Sequence, residues 1–113
     1  MREAMVRRPS GREAYQPAGT TLDWSVDESK EMAKTFDTIN ASTVAWELDA
    51  AAIAAGWTLG AITNTATQSS VFISAPGTAT AAPHRCTLTY QTIGGRTRKK
   101  AFWLRVVDPI LFD

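Results

Sequence analysis

Apolar and polar residues alternate along several stretches of this chain. In "TTLDWSV", Leu22, Trp24 and Val26 alternate with Thr21, Asp23 and Ser25; in "TVAWELD", Val44, Trp46 and Leu48 alternate with Thr43, Ala45 and Glu47. A period of two puts each set on one face of a β-strand, so both segments predict strands with an apolar inner side. Further strands are predicted over 57–62 and in "SSVFISA". The longest pattern, "CTLTYQTIGGRTRKKAFWLRV" at 86–106, predicts two strands joined by a tight turn.

Face parity sets the register of that hairpin. Cys86, Leu88 and Tyr90 share one face of its first strand, and Phe102, Leu104 and Val106 share one face of its second. A two-residue turn at Gly94-Gly95 would send these sets to opposite sides of the sheet. A three-residue loop over 93–95 places Thr92 opposite Arg96 and Cys86 opposite Phe102, with both sets on one side. A glycine at positive φ is therefore expected at the tip.

The intervening segments read as connections. "DESKEMAKTFDTINAS" is polar and tolerates a helical turn over 28–34, and the alanines of "DAAAIAAG" predict a short helix ended by Gly56. "PGTATAAP" predicts an edge loop, because Pro76 and Pro83 cannot sit in a central strand. Short strands at intervals of about ten residues, with little helix, predict an all-β sandwich.

Composition narrows the setting. The chain has 113 residues, 44% hydrophobic and 20% charged, enough for one small domain with a single core. Its apolar runs are far shorter than the ~20 residues that span a bilayer, and the first nineteen residues lack the apolar centre of a secretory signal, so synthesis in a reducing cytoplasm without membrane contact is expected. Cys86 is the only cysteine, which leaves no disulfide and no thiolate zinc site within one chain. A formal net charge of +1 argues against a protein whose task is gripping phosphate backbones.

No residue pattern points to catalysis, a cofactor or a metal. His84, the only histidine, has no serine, cysteine or acid at triad spacing, and is expected on the surface or in a loop. Cys86 reads as a small core residue, and Trp24, Trp46 and Trp57 as core anchors. Glu28 and Glu31 could share a helical face, with no pocket implied. Arg96, Arg98, Lys99 and Lys100 read either as a basic patch for a partner or as charges that solvate a strand edge against aggregation; no stacking aromatics surround them.

The two ends carry the candidate contacts. Residues 1–17 are locally basic through Arg2, Arg7, Arg8 and Arg12, and with Pro9, Gly11 and Pro17 they have little apolar surface to fold back on. They predict an extended arm that docks on another subunit, the plainer alternative being a solvated leader. The sandwich is assigned to 18–108 and a short tail to 109–113. In that tail Ile110, Leu111 and Phe112 follow Pro109 as an apolar cluster, expected against a neighbouring subunit or, alternatively, over an open end of the chain's own sandwich.

The order "LDWS", "DTINASTVAWEL", "GWTLGAI", "SVFISAPGT" and "CTLTYQTIGGRTRKKAFWLRVVD", over about 17–108, resembles the small fiber-tail adaptor proteins of tailed bacteriophages. Its most telling pieces are Asp23-Trp24, the step from Asp37-Thr38-Ile39 into "STV", and the hairpin tip Gly95-Arg96-Thr97; the specificity lies in their order and spacing. The resemblance implies an immunoglobulin-like β-sandwich that joins a fiber or accessory protein to the tail or neck of a virion, in several symmetric copies, with tail, neck, portal or fiber subunits as partners. It implies no catalytic motif and no cofactor. The basic arm and "PILFD" depart from the pattern and suit a neck, portal or capsid-surface partner equally. Two other classes stay open: a capsid decoration protein, and a nucleic-acid-binding module working through residues 96–100.

Overall fold

The computed structural model describes residues 6–8, 11–78 and 82–107, of which 6–8, 11 and 12 as backbone only. Eight strands, β1 (Val6–Arg8), β2 (Gly11–Pro17), β3 (Thr21–Asp27), β4 (Ala45–Leu48), β5 (Thr58–Asn64), β6 (Gln68–Ser74), β7 (His84–Gln91) and β8 (Thr97–Val107), are interrupted by helices α1 (Ser29–Thr35) and α2 (Ala50–Ala55) and by one 3-10 turn, Ala41–Thr43. They form two packed sheets, one in the order β1-β2-β8-β7-β4 and the other β3-β6-β5. The all-β sandwich read from the alternation is the fold.

Alternation places the core. Trp24 and Val26 of β3, Trp46 and Leu48 of β4, Val71 and Ile73 of β6, and the inner residues of β7 and β8 are all buried. Leu22 and Val44 pack at its margin. Trp57, just before β5, is also buried, and Trp46 meets Phe102 edge to face at 6.1 Å. The β7–β8 hairpin has the expected register: Cys86 lies opposite Phe102, Thr92 N donates to Arg96 O at 2.8 Å, and Gly95 takes φ 93°. The alanine segment is helical as expected. Asp49 caps it by accepting from Ala52 N at 2.7 Å, and Gly56 ends it at φ 107°. β5 begins and ends later than 57–62, and a bulge between Leu59 and Ile62 shifts its pairing with β6.

Two expectations need correction. Residues 1–17 do not stand wholly outside the sandwich: Gly11–Pro17 is a strand paired in parallel with β8, from Arg12 opposite Phe102 to Pro17 opposite Val107. The physical reason is again a period of two. Ala14 and Gln16 point inward and are fully buried, and the Gln16 amide is accommodated there because its Nε2 donates to Ile73 O at 2.7 Å and to Thr20 O at 3.0 Å, while its Oε1 accepts from Trp24 Nε1 at 2.8 Å. Gln16 thereby bolts one sheet to the other, as does Trp46, whose Nε1 donates to Ser69 Oγ at 2.9 Å. His84, expected on the surface or in a loop, is instead buried in β7 on the face shared by Cys86, with Leu104 opposite.

The remaining terminal expectations fall beyond this description. Arg2, Ile110, Leu111 and Phe112 lie outside the described residues, as do positions 79–81 of the expected edge loop. Arg7 and Arg8 lie in β1 and Arg12 in β2, with Arg7 opposite Arg12 in the pairing of the two strands. No helix among the described residues is long and apolar enough to cross a membrane.

Candidate functional site

The end of the sandwich that carries the β7–β8 turn is closed by α1, and most of the noteworthy side chains gather there. β3 leads directly into α1, and Glu28 at the junction is buried. Its backbone N–H donates to Thr67 O at 2.8 Å. Its carboxylate accepts from the Tyr90 hydroxyl at 2.7 Å and lies 3.5 Å from Lys100 Nζ and 3.9 Å from Arg98 Nε. Arg98 reaches on to Glu31 at 3.0 Å, and Lys34 to the same carboxylate at 3.4 Å.

This arrangement accounts for two of the hairpin cations. Arg98 and Lys100 have the parity of Phe102 and point inward, where α1 supplies carboxylates. Both are thus paired within the domain, whereas Lys99 between them is exposed. Arg96, at the turn, is held to Asp37 at 3.0 Å. The acid at 28 looked like part of a polar connection because its type gives no hint of burial; the signal for it is tertiary, from Tyr90 and Lys100 on strands distant in sequence.

Electrostatics follow the geometry. Burial, and then the Glu28 carboxylate, push the Tyr90 hydroxyl well above its usual range. Lys34, followed by Arg98, holds Glu31 below the usual carboxylate value. Asp37 is lowered to about 2, first by the Thr92 hydroxyl and then by the Gly94 and Thr38 N–H groups and Arg96. Burial pushes the Cys86 thiol up to about 12, which suits a core residue and not a nucleophile. Among the described residues no cluster of three His, Cys, Asp or Glu side chains could hold a metal ion.

Asp37 braces a corner. Gly94 N donates to its Oδ1 at 2.9 Å, Thr38 N does the same at 2.9 Å, and Ile93 N donates to Thr38 O at 2.9 Å. On this corner stand two bare apolar side chains. Ile93 is 66% exposed and Phe36 is 97% exposed. Phe36 ends α1 in the left-handed region, at φ 51°, where an L side chain is strained and glycine or asparagine is the usual occupant. Sequence reading passed over it; the available signal was an isolated aromatic in the polar run after α1.

A second surface lies along the flank. The edge strands β4 and β5 belong to different sheets, and between them runs an apolar groove of about 410 Å³ lined by Trp46, Leu48, Ile53, Trp57 and Leu59, with Glu47 and Thr58 at its margin. Ile53, on α2, is 63% exposed. Residues 41–80 contain Glu47 and Asp49 and no lysine or arginine. Compared with known proteins, the chain matches no family model and no curated sequence.

Proposed function

We propose that this protein is a structural adaptor of a tailed-bacteriophage virion, an immunoglobulin-like spacer that joins a fiber or accessory protein to the tail or neck through contacts between subunits. The observation that carries this reading is Phe36. A large aromatic is displayed almost entirely to solvent, in a strained backbone conformation, on a corner braced by Asp37. The strain opposes folding and the exposed ring gains nothing from it, and such a residue fits a contact outside the domain. The ordered run of motifs from "LDWS" to "CTLTYQTIGGRTRKK" supports the phage setting.

In this reading the protein is made in the host cytoplasm and resides in the virion, in several symmetric copies. Its partners are tail, neck, portal or fiber subunits, and the basic residues Arg2, Arg7, Arg8 and Arg12 together with Ile110, Leu111 and Phe112 make contacts at the two ends. Immunogold labelling of a tagged copy in the phage that encodes it tests the assignment. Label confined to the tail or neck, at a few to a dozen copies per particle, is the expected result. Label over the whole shell would replace the adaptor by a capsid decoration protein, and absence from purified particles would overturn both.

A further inference from the structure

We propose that copies of this chain associate head to flank, with Phe36 and Ile93 of one copy seated in the groove between β4 and β5 of the next. The inference rests on the reading of the chain as an assembling structural protein and adds to it the identity of one contact.

Three observations converge on a second copy as the occupant. The first is chemical match. Phe36 and Ile93 are a bare apolar pair, and Trp46, Leu48, Ile53, Trp57 and Leu59 line an apolar groove roomy enough to receive an aromatic ring. The second is charge. Segments 28–37 and 93–100 carry six cations against three carboxylates, and four of those cations pair with the carboxylates within the domain, which leaves a net charge of +3. Lys34 and Arg96 beside the apolar pair keep side chains 71% and 53% exposed. The groove, by contrast, has the carboxylate of Glu47 in its lining and no cation among its lining residues. A corner of net positive charge around the projecting pair thus faces an acidic residue in the recess.

The third is rigidity. The projecting pair sits on a corner tied by Asp37 to Gly94 and Arg96, and the groove is floored by Trp46, anchored through Ser69, and by α2, capped by Asp49. Neither surface has to be ordered on contact, which lowers the cost of association. The two surfaces are distinct: the pair lies at the β7–β8 turn, whereas α2 lies by the start of β7, where Asp49 N donates to Arg85 O at 3.0 Å. Contact between different surfaces is heterologous, so it propagates into a ring or an open stack and cannot stop at a symmetric dimer.

The test uses the purified full chain and two surface variants, Phe36→Gly and Ile53→Glu, followed by analytical ultracentrifugation. Wild type is expected to form oligomers that grow with concentration up to about 1 mM and weaken in salt. Each variant alone should associate at least about tenfold more weakly. Mixed, they should form a one-to-one pair and nothing larger, because one retains an intact groove and the other an intact projecting pair. Phe36→Gly should also raise the monomer's melting temperature by relieving left-handed strain, the opposite of what loss of an ordinary packing residue does. A wild type that stays monomeric across this range, whether inert or bound through Phe36 to vesicles containing phosphatidylserine, overturns the proposal. So does a mixture of variants that fails to pair. Virion labelling separates this from the broader reading: a monomeric protein found in particles overturns the head-to-flank contact alone, whereas a self-associating protein absent from particles overturns the adaptor assignment alone.

Discussion

The hydroxyl of Tyr90 donates to the buried carboxylate of Glu28 at 2.7 Å, joining two residues 62 positions apart. Strand β7 is thereby fastened to the entrance of α1, and the apolar interior is closed by a polar cluster instead of by more hydrocarbon.

Replacing Tyr90 by phenylalanine should cost about 1.5–3 kcal/mol, the range for a hydrogen bond to a charged group. Urea unfolding measures it, and a loss under about 0.5 kcal/mol would show that the bond contributes nothing net. The pH dependence has a fixed sign. Because the hydroxyl titrates higher in the folded protein than its ordinary value of 10.0, its contribution is complete below pH 10 and is lost as pH rises above it. Tyr90→Phe should lack that part of the alkaline decline.

Gln16→Ala should destabilise the domain by roughly 2–4 kcal/mol, since it strands Trp24 Nε1 and removes a donor from both Ile73 O and Thr20 O. Chemical denaturation with a tryptophan fluorescence readout is suitable. Deleting residues 1–17 should do far more, because β8 would lose its parallel neighbour. A truncated chain that melted like the full one would mean that β2 does not belong to the sheet.

His84 presents the reverse case. Its Nδ1 is buried without a hydrogen-bond partner, a situation that costs about 1–3 kcal/mol. His84→Leu should therefore leave stability unchanged or raise it, unlike most core substitutions. A drop of more than about 1.5 kcal/mol on thermal or urea unfolding would reveal that the ring makes a favourable contact worth more than its unpaired nitrogen costs.

Asp37 should show itself in acid. Its carboxyl is held at about 2, below the ordinary 3.8, so its contribution is present above pH 3.8 and disappears as pH falls toward 2. Asp37→Asn should lose this acid-dependent component. Faster hydrogen exchange at the Gly94 amide in the variant would report the loosened corner; equal exchange would mean that the carboxylate does not brace the turn.

Much of the fold was legible because the core writes itself as alternation. Trp24, Trp46, Leu88 and Phe102 each stand two positions from another inward residue, and parity alone was enough to choose a three-residue loop at Gly95. What stayed hidden was inward polar chemistry. Gln16 and Glu28 are residue types that normally face water, and partners distant in sequence make their burial tolerable, Ile73 beside Trp24 for Gln16 and Lys100 beside Tyr90 for Glu28. Arg98 and Lys100 looked like a solvated run because their partners arrive on α1. The parallel pairing of β2 with β8 leaves no local trace, since neither strand's pattern names its neighbour. The groove was invisible for a similar reason: Trp46 and Leu59 come together there only through the packing of two sheets.

The parallel pairing also bears on how the chain reaches this state. Arg12 finds its place beside Phe102 only after nearly everything between them has been synthesised. On the ribosome, Ala14 and Gln16 must wait with an open strand edge while the β3-β6-β5 sheet can already assemble. Closure of the larger sheet is then a late event with a long loop to close, and folding should be slow, on the order of milliseconds to seconds, as for other sandwiches dominated by distant pairings. Until β8 emerges, the waiting edge of β2 is the segment most open to capture by a chaperone or by the same strand of a neighbouring nascent chain.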